Sequence, residues 1–237
     1  MILEDDTGPN EDLLESLALA RMFLAQQAEL GVRSLPKGSV GDGALEGLPV
    51  DKLEQLEAFH ASIQACQACK LAQGRRVVVF GSGNPDADVL FVGEAPGAEE
   101  DRQGVPFVGA AGQLLTRMIL SIGLSREQVY IANIIKCRPP GNRDPEPDEI
   151  AQCEPYLIRQ LEVIQPAIIC TLGRFAAQTL LKTSESMGRL RGRVFTYQEI
   201  KLIPTYHPAA LLHNPQWKRP TWEDLKLLRK EYDGTEL

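Results

Sequence analysis

Two apolar periods alternate along this chain. Short, mostly apolar runs at Val77–Phe80, Val89–Val92, Val129–Ile135, Ala167–Leu172, Val194–Tyr197 and Lys201–Thr205 predict strands. Between them apolar residues recur at helical spacing. Asp51 to about Ala65 presents Leu53, Leu56 and Phe59, and the stretch from Ala110 presents Leu114, Leu115, Met118, Ile119 and Ile122. Pro147–Ile164, Arg174–Leu181 and about Trp222 to Tyr232 complete the predicted helices of this part. Pro147 followed by acids suits a helix start, where the dipole favours negative charge. Strands alternating with helices predict an α/β fold: a three-layer α/β/α sandwich with a short, mostly parallel central sheet.

Ahead of this pattern, Glu11 to Leu30 reads as one further helix, and Gly31 to Leu48 reads as a linker from its glycine, proline and serine content. The chain is therefore expected to divide into an extension, residues 1–50, and one domain, residues 51–237. With 43% hydrophobic residues in 237, the domain can bury a full core. The start, MILEDDTGPNEDLLE, is acidic and no run of eighteen apolar residues occurs, so neither a leader peptide nor a membrane span is expected. The expected location is the cytoplasm.

The net charge of −7 argues at first against a nucleic-acid partner. Residues 1–60, however, hold 12 acidic and 4 basic side chains, leaving 20 acidic and 21 basic ones in the remainder. Basic groups in that near-neutral body cluster in loops, among them Lys136, Arg138, Arg143 and Arg191, and such loops can hold phosphates locally.

The most distinctive stretch is VLFVGEAPGAEEDRQGVPFVGAAG, Val89 to Gly112. A buried strand opens into a long glycine-rich loop that holds Glu94, Glu99, Glu100, Asp101 and Phe107. Loops at the carboxyl ends of strands in an open α/β sheet are where ligands bind. Two further residues belong to the same edge by position. Asn133 interrupts an apolar strand with a carboxamide whose donors and acceptor match an imide edge, although a bond to neighbouring backbone would serve it equally. His207 follows the apolar strand Leu202–Ile203–Pro204 and can donate to an oxygen that gains charge.

Five cysteines in a cytoplasmic chain are not expected to form disulfides. Cys66 and Cys69 form a CxxC, and Cys137 and Cys153 lie downstream in positions read as exposed. Together they suit one structural centre, zinc or iron–sulfur, with no open ligand position. Cys170, in the run AIICTL, reads as an inert buried thiol.

GEAPGAEED with PFVGAAGQLL, Asn133 four residues before Cys137 in KCRPP, and HPAALL together resemble the family 4 uracil-DNA glycosylases over about residues 55–230. The resemblance implies a 4Fe-4S cluster on Cys66, Cys69, Cys137 and Cys153. It also implies a uracil pocket from Gly93, Glu94, Ala95, Phe107, Asn133 and His207, and uracil-containing DNA as partner. Side-chain chemistry agrees. Phe107 offers a face to a flipped ring, Asn133 can read O4 and N3–H, His207 can stabilise the leaving anion, and Glu94 can position water. Exclusion of thymine falls to Glu94 or the loop backbone.

Leu211 and Leu212 are candidate wedges in the base stack, or ordinary packing leucines. Arg138, Arg143 and Arg191 are candidate phosphate contacts. One superfamily relative bonds covalently to uracil-containing DNA through a histidine in an inserted loop; RPPGNRDPEPDEIAQ, residues 138–152, has neither histidine nor insertion. The expected protein is a monomeric, monofunctional glycosylase that starts base-excision repair. A glycosylase for other deaminated bases and a non-catalytic nucleic-acid-binding module stapled by a four-cysteine centre remain as alternatives.

Overall fold

A computed structural model describes residues 51–234. The expected helix at Glu11–Leu30 and its linker lie outside the described residues. In chain order the elements are α1 (Lys52–Ile63), β1 (Ser82–Gly83), β2 (Val89–Gly93), α2 (Ala98–Gln103), α3 (Ala110–Ser121), β3 (Tyr130–Asn133), α4 (Pro147–Ile164), β4 (Ile168–Leu172), α5 (Arg174–Leu181), α6 (Met187–Leu190), β5 (Phe195–Tyr197), β6 (Ile200–Thr205), α7 (Pro208–His213) and α8 (Lys218–Asp233). The strands form one sheet in the order β1-β3-β2-β4-β6-β5. Its four inner strands run parallel, and both edge strands are antiparallel.

Alternation along the strands sorts the core into two layers. Leu90, Val92, Tyr130, Ala132, Ile169 and Leu202 face one way, onto Leu56 and Ile63 of α1, Leu157 and Leu161 of α4, and Leu180 of α5. Val89, Phe91, Ile131, Ile168, Cys170 and Ile203 face the other way, onto Leu115 and Ile119 of α3, Leu211 of α7, and Leu225 and Leu228 of α8. This is the three-layer sandwich expected. α4 starts where its proline and acids predict, with Glu146 and Glu149 forming a reciprocal capping box. Among the described residues no helix is long and apolar enough to cross a membrane.

Four expectations need correction. Val77–Phe80 is not a strand: Val78, Val79 and Phe80 are buried, but only Val79 N–H bonds across, to Lys136 O at 2.8 Å. Pairing begins two residues later, where Ser82 and Gly83 oppose Ile131 and Tyr130. The long loop contains α2, which starts after Gly97 and ends at left-handed Gly104. The last helix begins at Lys218 rather than Trp222, because Pro220 sits in its first turn, where no backbone donor is needed. Cys137 and Cys153, read as exposed, are each only 5% exposed. Both pack into the core with Val78 and Leu157, partly covered by the segment carrying Cys66 and Cys69.

Candidate active site

Parallel register brings the carboxyl ends of the inner strands to one edge. Gly93 pairs with Asn133, Val92 with Thr171, and Leu172 with Thr205. The residues that follow these ends line a cavity of about 290 Å³, enough for one flat base. Glu94, Ala95, Gly97, Phe107, Asn133 and His207 are among its walls. Of the six pocket residues expected from sequence, five therefore line it, while Gly93 lies beneath as the register partner of Asn133.

Each wall is set by a local cause. Phe107 has a left-handed backbone, with φ of 53°, an uncommon state for an aromatic residue. Arg126 holds it there, donating to Pro106 O at 3.0 Å and Phe107 O at 3.1 Å. Gly112 makes room for it, because a Cβ at position 112 would stand 1.8 Å from Phe107 O. Glu100 closes the loop, its Oε1 accepting from Val108 N and Gly109 N at 2.9 Å each. Asp101 is buried and accepts from Arg76 N, while Glu99 pairs with Arg102, so these acids order the loop.

Asn133 is buried, and its Oδ1 has no hydrogen-bond partner among the described residues. A buried acceptor without a partner costs about 1–3 kcal/mol, and such a group in a binding cavity is suited to a ligand donor. Its own backbone O is occupied by the buried ammonium of Lys136 at 2.9 Å.

His207 caps α7: its Nδ1 accepts from Ala209 N at 3.1 Å. That bond places the proton of the neutral ring on Nε2, making it a donor. Burial lowers its pKa to about 4, so the ring stays neutral across the physiological range. Its ring lies 5.6 Å from that of Phe107. Glu94 is only partly buried, yet burial and the nearby Asp144 raise its pKa to about 7, against an opposing pull from Arg174.

The four expected ligand cysteines surround one small cavity together with Ile63, Val78 and Tyr156. Their sulfurs already attract donors. Lys136 N reaches Cys153 Sγ at 3.2 Å, Ala68 N reaches Cys66 Sγ at 3.5 Å, and Arg75 Nη1 reaches Cys137 Sγ at 3.6 Å. Cys66 Sγ and Tyr156 Oη are 3.0 Å apart. Among the described residues no three His, Cys, Asp or Glu side chains are grouped to hold a single metal ion. Cys170 is buried in β4, as expected.

The DNA-contact candidates separate. Arg138 bonds Asn142 Oδ1 through Nε alone. Arg143 lines the cavity but is held by the buried Glu149 at 2.8 and 2.6 Å. Arg191 makes a two-pronged pair with buried Asp224 at 3.0 and 2.9 Å, so its guanidinium is committed inside the fold. Leu211 is 2% exposed and belongs to the core, which removes it as a wedge; Leu212, beside it, is 42% exposed. Sequence reasoning missed Gly173, packed against His207, and Arg126, and it read Lys136 only as a basic loop group, whereas Lys136 is buried and reaches Gln160.

Residues 80–226 match the uracil DNA glycosylase superfamily. A type-4 uracil-DNA glycosylase of Saccharolobus solfataricus is 48% identical over 187 residues, covering 75% of this chain and 87% of that protein. Type-4 enzymes of Archaeoglobus fulgidus (47% identical) and Thermotoga maritima (42%) each align over 73% of this chain and 92% of their own length. A type-5 enzyme of Pyrobaculum aerophilum is more distant, at 32% identity over 58% of this chain and 67% of its own. Domain match and relatives agree: the chain belongs to the type-4 uracil-DNA glycosylases of the uracil DNA glycosylase superfamily.

Proposed function

We propose that this chain hydrolyses the N-glycosidic bond of deoxyuridine in DNA, releasing uracil and leaving an abasic site for repair. The observation that carries the reading is buried Asn133, which lines a cavity with Phe107 and His207 and whose Oδ1 has no hydrogen-bond partner among the described residues. A flipped uracil brings an N3–H to that acceptor and its O4 to the carboxamide N–H. Cytosine inverts both senses and leaves buried groups unpaired, the strongest form of rejection.

The ring rests against Phe107. As the C1′–N1 bond breaks, negative charge collects on uracil and positive charge on the sugar. His207 Nε2–H donates to O2 of the departing anion. Glu94, once ionised, faces the cationic sugar and orients the water that adds to C1′. Glu94 is also the wall nearest in role to thymine exclusion, together with the loop backbone.

The donor set of Cys66, Cys69, Cys137 and Cys153 fits a 4Fe-4S cluster. Four thiols around one cavity, too dispersed for one ion and supplied with N–H donors, suit a centre with one cysteine per iron. When bound, such a cluster supplies a structural clamp, tying the 66–69 segment to Cys137 and to α4. Arg138 and Leu212 remain the candidates for phosphate contact and base-stack insertion. The acting unit is a monomer, with residues 51–237 as the catalytic unit and 1–50 outside it.

The test uses oligonucleotides carrying uracil or thymine at one position, followed by alkaline cleavage of abasic sites. Strand breaks at uracil alone are expected. No uracil-dependent break would sink the reading. A brown protein with visible absorbance is expected for the cluster, and a colourless one would refute it.

A further inference from the structure

Lys136 is 1% exposed, yet among the described residues no carboxylate pairs with its ammonium. Nζ donates to two neutral oxygens, Asn133 O at 2.9 Å and Gln160 Oε1. Gln160 is itself fixed, donating to Phe80 O at 3.0 Å and lying 3.4 Å from Tyr130 Oη. A buried charge without a counter-charge is expensive, and proteins pair it or bring it to a metal centre. The anionic candidate is next door. Lys136 N bonds Cys153 Sγ at 3.2 Å, and residue 137 is itself a ligand cysteine. Four thiolates outweigh the positive charge of an iron–sulfur core, so the occupied centre is a net anion.

We propose that Lys136 is the buried counter-cation of the four-cysteine centre and the link through which that centre holds Asn133 in its uracil-reading position. This rests on the cluster and uracil assignments above. Lys136 is a positioning residue: it touches neither uracil nor the reacting atoms, but its ammonium fixes the carbonyl of the residue that reads the base. The arrangement gives a cluster remote from the chemistry a physical route to specificity. Its charge keeps the ammonium in place, and the ammonium pins the end of β3.

The test compares Lys136→Met, which removes charge and hydrogen bonds, with Lys136→Gln, which keeps a donor for Asn133 O but no charge. Both are measured as purified holoprotein for iron content, cluster midpoint potential and binding of free uracil. Loss of a neighbouring positive charge makes reduction harder, so both variants should show a more negative potential. Uracil should bind about tenfold more weakly to Lys136→Met, with affinity recovered in part by Lys136→Gln. A wild-type potential in Lys136→Gln, or wild-type uracil affinity in Lys136→Met, overturns the proposal. If Lys136→Met does not fold, Lys136→Gln decides through its potential alone. Iron-free wild-type protein that still releases uracil overturns this inference and leaves the activity standing. Brown protein that releases no uracil defeats the activity reading instead, and the potential still decides the part Lys136 plays at the cluster.

Discussion

Gly173 and His207 touch where two parallel strands end: a Cβ built on Gly173 would stand 2.9 Å from the Cβ of His207. Gly173 has φ of +90° and caps α5, while its N–H donates to Thr205 O at 2.8 Å. The turn after β4 is thus shaped to admit the histidine that follows β6. Gly173→Ala adds both a clash and a strained backbone. It should displace the imidazole by a fraction of an ångström to about one, lowering kcat about 10²-fold. Single-turnover rates on a uracil oligonucleotide, beside a melting curve, check this; a wild-type rate in a folded variant would refute it.

Asn133 makes function and stability pull apart. Its Oδ1 is buried and unpartnered, a standing cost in the free protein. Asn133→Leu keeps the volume and removes that cost, so its melting temperature should equal or exceed that of the wild type. Uracil release should fall by about 10³-fold or more, because the reading contacts disappear. A variant that loses activity only in proportion to lost folded protein would contradict the assignment.

That contrast also marks what could be read before the fold was in hand. The sandwich was legible because the inner strands are nearly pure apolar runs buried on both faces, and Pro147 opens its helix with a local signal. Val77–Phe80 misled for the same reason: it is apolar and, from Val78 on, buried, but its neighbour is the Lys136 carbonyl rather than a strand ladder. Glu94, Phe107, Asn133 and His207 were recognisable from their chemistry at strand ends. The parts played by Gly173, Arg126 and Lys136 were not, because their contacts with His207, with Pro106 and Phe107, and with Gln160 join segments that no local pattern brings together. Leu211 and Leu212 differ by a single step along α7, and only packing distinguishes the core residue from the exposed one.

The pH dependence should carry the signature of Glu94. Burial and Asp144 raise its pKa to about 7, so the carboxylate forms only as pH rises through neutrality. His207 is lowered to about 4 and stays a neutral donor throughout that range. The rate of base release should therefore climb along one ascending limb centred near pH 7, and Glu94→Gln should be slower and flat there. The stability sign follows from the same shift. A raised carboxyl favours the fold when neutral and loses that advantage as pH climbs from the unfolded value to about 7. Glu94→Gln should thus match wild-type stability at pH 4 and exceed it at pH 8, a difference that denaturant titrations at the two pH values would reveal.

Arg138 and Arg191 are both loop arginines in the sequence, but they should fail in opposite ways. Arg191 grips Asp224, which in turn accepts from Thr205 Oγ1 at 2.8 Å, two residues before His207. Arg191→Ala strands a buried carboxylate, so it should cost about 3 kcal/mol of stability. Its effect on DNA binding by the protein that remains folded should be slight. Arg138 keeps the end of its guanidinium without a partner among the described residues. Arg138→Ala should leave stability within about 0.5 kcal/mol but weaken binding to uracil-containing and uracil-free duplex alike. Its slope of log affinity against log salt should be shallower by about one. Titrations at several salt concentrations measure both variants. An unchanged slope for Arg138→Ala would remove it from the phosphate contacts, and a shallower one for Arg191→Ala would restore the contact that its pairing with Asp224 argues against.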